Sequence, residues 1–309
     1  MAKVFIDGSA GTTGLEIHQR LKERSDIQLL QISEELRKDP AERKRLMNEA
    51  DVVFLCLPDQ AAIEAAALVD NPDTCIIDAS TAHRTNPEWT YGFAELGLEE
   101  EIAKAKRIAN PGCHATGFIS IVYPLVKSGL LDKDALLTCV SLTGYTGGGK
   151  KMIADYEAED KPAQLCSPAL YAVGQSHKHL PEMMKVCGIE NAPVFCPVVD
   201  DYARGMATTV MLHKGQLARE ASLQDIWQTL ADFYKGRKLV AVREKDAPAG
   251  SIYANTRAGL DSLEIIVNGN DDRITITALF DNLGKGASGA AIQNMNIALG
   301  VEETTGLNV

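Results

Sequence analysis

The chain has 309 residues, a length at which two domains of ordinary size are expected. Hydrophobic residues make up 45% and charged residues 24%, which excludes a disordered chain, and no stretch is apolar for long enough to span a bilayer. A net charge of −11 argues against nucleic acid as a partner, because phosphate binding needs a basic surface. The opening Ala2-Lys3-Val4-Phe5-Ile6 runs straight into a strand-like segment without signal-peptide architecture, so the expected location is cytoplasmic. Seven cysteines without close Cys-x-x-Cys spacing read as reduced thiols, and no metal site is expected.

Up to Asn110 the chain alternates strand and helix. Residues 4–6 form a short apolar run, a glycine turn follows, and 12–23 carry Leu15, Ile17 and Leu21 at helical spacing. Residues 27–32 read as a strand and 40–50 as a charged helix with Pro40 at its start. The continuous apolar run 52–57 suits a strand buried on both faces. A helix over 61–69 and strands over 75–77 and 107–110 complete the series. Repeated β-α units predict an α/β fold of Rossmann type, a doubly wound parallel sheet.

Beyond about residue 130 the rhythm changes. Strands are expected over 136–142, 194–199, 208–212 and 239–242, and the segments 263–267 and 274–280 flank an Asn-Gly-Asn-Asp-Asp turn that signals a hairpin. The clearest helix covers 223–234. This reads as an α+β domain with a largely antiparallel sheet. The expected division is 1–113 for the dinucleotide-binding domain and 114–285 for a catalytic and oligomerisation domain, with the segment 286–309 packing back on the first.

The turn Gly8-Ser9-Ala10-Gly11-Thr12-Thr13-Gly14 joins the first strand to the first helix. Glycines there permit a tight turn and close approach of a pyrophosphate, and the helix N-terminus supplies amide donors. About twenty residues on, Glu34 is placed for a ribose diol, whereas Ser33, Arg37 and Lys38 are placed for a 2′-phosphate; local sequence leaves both open.

Asn110-Pro111-Gly112-Cys113 leads from a strand through a turn into a helix expected over 115–127. A cysteine at a helix N-terminus is favoured as thiolate by the amides and the macrodipole, which makes Cys113 the candidate nucleophile. Cys56, Cys75, Cys139 and Cys196 lie in or beside apolar β runs and read as small core residues, while Cys166 and Cys187 have no supporting context. The segment His177-Lys178-His179-Leu180-Pro181-Glu182 carries two of six histidines. If it is extended, both imidazoles share a face, and one is the candidate acid and base with Glu182 orienting it. In the second domain Gly144-Tyr145-Thr146-Gly147-Gly148-Gly149 is a candidate substrate cradle, with Lys150 or Lys151 for a carboxylate.

The glycine turn, Asn110-Pro111-Gly112-Cys113-His114-Ala115-Thr116, His177 to Glu182, Asp281-Asn282-Leu283-Gly284-Lys285-Gly286-Ala287 and Gln293-Asn294-Met295-Asn296 occur in that order. With them the chain resembles the N-acetyl-γ-glutamyl-phosphate reductase family, in its shorter form. The resemblance implies a glyceraldehyde-phosphate-dehydrogenase-like second domain, NADP(H) as cofactor, and a homotetramer or homodimer. It implies reduction of N-acetyl-γ-glutamyl phosphate to N-acetylglutamate semialdehyde and phosphate through a cysteine thioester, in arginine biosynthesis. It assigns the nucleophile to Cys113 and the acid/base to the histidine pair, His179 ahead of His177. Arg84 is implied as a ligand of the substrate phosphate, with Ser80 and Asn110 beside it, and Asn282, Gly286 and Ala287 as cofactor contacts. Where many relatives carry an aromatic residue after the cysteine, this chain has His114. The rival readings are an acyl-phosphate reductase of the aspartate-semialdehyde dehydrogenase kind and a non-catalytic dinucleotide-binding regulatory module. A nucleophile together with a histidine pair argues against the module.

Overall fold

A computed structural model describes residues 1–245, 247 and 250–309. The chain divides into two compact units, residues 1–111 with 287–307 and residues 112–286 with 308–309.

The first unit is built on strands β1 (Ala2–Asp7), β2 (Ile27–Leu30), β3 (Val52–Leu55), β4 (Cys75–Asp78), β5 (Thr90–Tyr91) and β6 (Arg107–Ala109). All pair in parallel, in the order β2-β1-β3-β4-β6-β5. Helices α1 (Thr12–Leu21), α2 (Pro40–Glu49), α3 (Asp59–Ala66) and α4 (Glu99–Lys104) make the crossovers. The double winding follows from the period of the strands. Val4 and Ile6 join Ile17 and Leu21 of α1 in one core, while Phe5 joins Leu46 and Met47 of α2 and Ala62 and Ala65 of α3 in another. Both β3 and β4 are buried along their whole length, β3 as an uninterrupted apolar run and β4 with the buried Asp78 at its end. Helix α2 starts where Asp39 accepts the Glu42 N–H at 2.8 Å with Pro40 behind it. Strand order reverses between β1 and β3, and that places the end of β1 at the topological switch point.

The second unit opens with α5 (Cys113–Lys127), a helix apolar on nearly every side and buried accordingly. Its sheet contains β7 (Thr138–Gly144), β8 (Ala169–Leu170), β9 (Val194–Asp200), β10 (Met206–His213), β11 (Val240–Val242), β12 (Leu263–Gly269) and β13 (Arg273–Phe280), in the order β11-β12-β13-β10-β7-β9-β8. Most neighbours are antiparallel, but β7–β9 and β11–β12 are parallel, so the sheet is mixed. The β7–β9 pair needs a crossover, which the excursion through α6 (Gly149–Glu157), β8 and α7 (Leu180–Cys187) supplies. The expected hairpin forms between β12 and β13, with Gly269 at φ 114° and Asn270 Oδ1 accepting the N–H groups of Asp272 and Arg273. Helix α8 (Leu223–Phe233) begins in a Ser222/Asp225 capping box.

The last helix, α9 (Gly289–Ala298), belongs to the first unit, where Ala291, Ile292 and Met295 join the core of Val4 and Ile6. Among the described residues no helix is long and apolar enough to cross a membrane, and no group of three metal-ligating side chains occurs.

Candidate active site

The glycine turn is shaped by two close approaches. Gly8 has φ 88°, and a Cβ there would collide with the Cys56 carbonyl at the end of β3. A Cβ at Gly14 would collide with the carbonyl of Gly8. These two glycines let β1 turn against β3 and let α1 start against the turn. Gly11 faces only ordinary contacts, and its N–H donates to Gly8 O at 3.0 Å. The Thr12 hydroxyl is buried without a hydrogen-bond partner among the described residues, at the first residue of α1. Ser9 lines a cavity of about 230 Å³ together with His18, Leu29, Gln31 and Ile32, while Ala10 is exposed and Thr13 half-buried. A cradle that a Cβ would fill, an unsatisfied hydroxyl and a helix N-terminus at the switch point fit a dinucleotide pyrophosphate. Ser33, Arg37 and Lys38 are exposed beyond β2, and Arg37 Nε lies 2.6 Å from Glu34 Oε1. The acid and the base that competed for the ribose are thus paired with each other. Arg43 of α2 reaches Asp7 Oδ2 at 2.6 Å and neutralises the carboxylate that precedes the turn.

Ser80, Arg84 and Asn110 meet in one network of the first unit. Asp78 accepts the Ser80 N–H at 2.9 Å and its hydroxyl at 2.7 Å, and lies 2.6 Å from His83 Nδ1. The His83 ring stacks on Trp89 at 3.9 Å. Arg84 is only 8% exposed; it donates from Nε to Asn110 O at 2.9 Å and from a terminal nitrogen to Ala79 O at 3.0 Å. Asn110 Nδ2 donates to Ala287 O at 3.0 Å, and Asn110 Oδ1 accepts from Asn294 Nδ2 at 3.0 Å.

Cys113 is the first residue of α5, behind the extended N-cap Gly112. The Gly112 N–H donates to Glu182 Oε1 at 2.8 Å, and Glu182 is fully buried in α7. The Cys113 Cβ packs on Gly286, where any side chain would start only 3.0 Å away. His179 N–H donates to His177 Nδ1 at 3.1 Å, and the two rings stand nearly perpendicular with centroids 4.7 Å apart. Both rings also touch His114, the residue after the nucleophile. The cysteine, both histidines and Glu182 are therefore assembled within one unit. The remaining thiols differ: burial pushes Cys56 up to about 12 and Cys75 up to about 11, and lifts Cys139 and Cys187 well above the ordinary thiol range.

Other sequence candidates divide. Gly144 is buried at the end of β7 with the Ala203 carbonyl against it, and the segment after it is a 3₁₀ turn leading into α6. Lys150 is exposed in the first turn of that helix, as is Lys151. Asn282 is committed within the unit, donating to Thr146 Oγ1 at 2.8 Å and accepting the Gly205 N–H at 2.9 Å. Gly286 sits in a π-turn, Gly284–Ser288, of the kind found at functional sites.

Residues 3–105 match the family described as semialdehyde dehydrogenase, NAD binding domain, and residues 113–282 the family described as semialdehyde dehydrogenase, dimerisation domain. An N-acetyl-gamma-glutamyl-phosphate reductase of Sinorhizobium medicae (strain WSM419) is 45% identical over 305 residues, covering 96% of this chain and 98% of its own. The chain belongs to the N-acetyl-γ-glutamyl-phosphate reductase family. It is an oxidoreductase whose first unit binds a nicotinamide dinucleotide. A second family member, N-acetyl-gamma-glutamyl-phosphate reductase 2 of Nostoc sp. (strain PCC 7120), is 43% identical and covers 99% of each chain. Among solved structures, aspartate semialdehyde dehydrogenase from Francisella tularensis superposes with TM-score 0.72 at 15% identity, covering 96% of this chain and 99% of that one. The likeness at that identity is one of fold.

Three residues of this arrangement escape the sequence: Ser141, whose Oγ lies 2.7 Å from His114 Nδ1, Tyr171, whose hydroxyl lies 2.5 Å from His114 Nε2, and Arg43. None lies in a motif. The one available signal for Tyr171 is its place six residues before His177.

Proposed function

We propose that the chain reduces N-acetyl-γ-glutamyl phosphate to N-acetylglutamate semialdehyde and phosphate through a thioester on Cys113, with NADPH as reductant, as a step of arginine biosynthesis. The supporting observation is a cysteine at a helix mouth whose preceding amide is held by Glu182, in the same unit as two contacting imidazoles. The Cys113 thiolate attacks the acyl carbon; the S–C bond forms, the C–O bond to phosphate breaks, and the departing phosphate takes over the thiolate's negative charge together with a proton. An acyl phosphate is activated, so this step needs no ATP. Bound NADPH supplies the hydride that takes the thioester to the aldehyde level.

His179 gives a proton to the oxygen that becomes negative and takes it back when the C–S bond breaks. The choice between the histidines rests on His177 Nδ1, which already accepts the His179 backbone N–H. The Gly8 to Gly14 turn and Thr12 would hold the pyrophosphate, with Ser33, Arg37 and Lys38 on the 2′-phosphate and Asn282, Gly286 and Ala287 contributing further contacts. Arg84, with Ser80 and Asn110, is assigned to the phosphoryl group, and Gly144 with Lys150 to the remainder of the substrate. The enzyme is taken to work as a homodimer or homotetramer in the cytoplasm. Phosphate-dependent reduction of NADP⁺ with N-acetylglutamate semialdehyde tests the reading. Turnover of aspartate semialdehyde in its place would reject the substrate.

A further inference from the structure

His114 stands directly after Cys113 and has no part in the scheme above. It is 2% exposed and reaches from the first turn of α5 onto the sheet of the second unit. Both ring nitrogens are engaged, Nδ1 at 2.7 Å from Ser141 Oγ on β7 and Nε2 at 2.5 Å from the Tyr171 hydroxyl just beyond β8. Ser141 Oγ lies in turn 2.7 Å from Thr208 Oγ1, its register partner on β10. Phe195 of β9 packs edge-on, with ring centroids 5.3 Å apart. One imidazole is thus fixed against neighbouring strands in the order β10, β7, β9, and against the residue that follows β8. Burial, with a smaller contribution from His177, pushes this imidazole down to about 3, so it is neutral.

The histidine pair lies instead on irregular backbone, in the stretch 171–179 between β8 and α7. Ala172 and Gln175 both take left-handed conformations there, φ 50° and 56°, a cost that non-glycine residues keep only where surrounding contacts impose it. Tyr171 N–H donates to Pro197 O at 3.1 Å, and the Gln175 amide exchanges two hydrogen bonds with the Phe195 backbone, at 2.8 and 2.9 Å. Both imidazoles of the pair rest on His114. The His177 ring stands nearly perpendicular to it with centroids 5.4 Å apart, the His179 ring is tilted at 5.8 Å, and the two touch each other at 4.7 Å. These separations fall in the range of about 4.5–7 Å over which aromatic rings orient one another. Catalytic groups on a loop hold their geometry less well than groups on strands, and His114 brings the sheet to them. Because it is neutral, it sets no second charge beside a protonated ring.

We propose that His114 is a positioning residue for the acid and base: its ring, pinned to the sheet, is the wall that holds the His179 imidazole in its working orientation. The proposal rests on the assignment of His179 as acid and base in the reaction above. Misplacing a catalytic group by about 1 Å can slow a step on the order of a hundredfold, so a wall of this kind has a measurable effect on rate.

The test compares wild type, His114→Leu, His114→Phe, His179→Ala and the His114→Leu/His179→Ala double variant in the full-length chain, with thermal unfolding confirming that each is folded. Phosphate-dependent NADP⁺ reduction is followed in H2O and in D2O. His114→Leu, which removes the ring, is expected to lower kcat about tenfold at nearly constant KM. It is also expected to raise the solvent isotope effect, because proton transfer becomes the slow step. His114→Phe, which restores a ring, is expected to recover most of the loss. In the His179→Ala background His114→Leu is expected to cost nothing further. The His179 Cε1–H signal in histidine-labelled protein, assigned by its loss in His179→Ala, reads the ring without turnover: one sharp line in wild type, broadened or doubled in His114→Leu. Additive losses in the double variant overturn the proposal, as does an unaltered isotope effect or an unaltered line in His114→Leu. Should His114→Leu fail to fold, Tyr171→Phe, which cuts one tether of the ring, takes its place with a smaller loss and the same criteria. A wild-type kcat in His179→Ala would reject the acid and base on which the proposal stands, a different failure.

Discussion

Glu182 and Gly112, seventy positions apart, share a hydrogen bond of 2.8 Å from the glycine N–H to the carboxylate. A charged acceptor thereby fixes the peptide that leads into Cys113. Glu182→Ala leaves the Gly112 N–H buried without that acceptor, and the expected cost is about 1–3 kcal/mol of stability together with a loss of kcat. Glu182→Gln retains a carbonyl oxygen and is expected to lose less of both. Urea unfolding midpoints alongside steady-state rates check the order; equal losses in the two variants would mean that the charge itself is what matters.

The glycine turn makes a graded prediction. Gly8→Ala and Gly14→Ala introduce a Cβ against backbone carbonyls, whereas Gly11→Ala meets only ordinary contacts. The first two are expected to lower Tm by several degrees and abolish NADPH binding. Gly11→Ala is expected to fold normally. Fluorescence titration with NADPH and a thermal melt of each variant give the answer.

Cys113→Ser removes the sulfur and leaves the first unit untouched. Turnover is expected to vanish while NADPH binds within a few-fold of wild type. Loss of cofactor binding in this variant would make the cysteine a structural residue.

Arg84 carries two duties that a substitution separates. Its bonds to Asn110 O and Ala79 O predict that Arg84→Ala loses about 1–3 kcal/mol of stability, since a buried and a partly buried carbonyl are left short of donors. Its assignment to the phosphoryl group predicts, in addition, a weakened response to phosphate in the reverse reaction. A destabilised variant with normal phosphate dependence would confine Arg84 to the first duty.

The buried His114 makes stability depend on pH in a known direction. Its imidazole is held at about 3 in the folded chain against an ordinary 6.5, so between those values the unfolded chain binds a proton that the folded chain refuses. Stability from this group is complete above pH ~6.5 and falls as pH drops toward ~3, by at most about 1.4 kcal/mol per pH unit. His114→Gln is expected to flatten that slope in denaturation measured across the window, and an identical slope in the variant would discount the neutral imidazole.

The parts of the site that were legible in the sequence are those fixed by local geometry. Gly8 and Gly14 are needed because chain neighbours and the adjoining strand leave no room, and Gly112-Cys113 reads as a helix start because a turn precedes a long apolar run. The doubly wound sheet was legible from the repeated β-α units, and the structure adds that Val4 and Ile6 face one helix layer and Phe5 the other. What depends on strand order was not. The sequence suggested one hairpin and a largely antiparallel second sheet, which most of its pairs are, but the long excursion between β7 and β9 makes that pair parallel and leaves β8, with Tyr171 just beyond it, at the edge. Glu182 shows the same limit: its spacing pointed to a histidine, and one of its oxygens lies on Gly112. Arg43 gave no signal because an ion pair with Asp7 across thirty-six positions has no periodicity to read.

The first unit is discontinuous in the chain, and α9 supplies Ala291, Ile292 and Met295 to its core. A ribosome making this protein therefore completes residues 112–286 of the second unit before the first can close. The nucleotide-binding half waits, one flank of its sheet bare, for the last few turns of polypeptide to emerge. Cutting the chain before α9 would strip the core beneath the dinucleotide-binding unit, although its glycine turn is written in the opening residues.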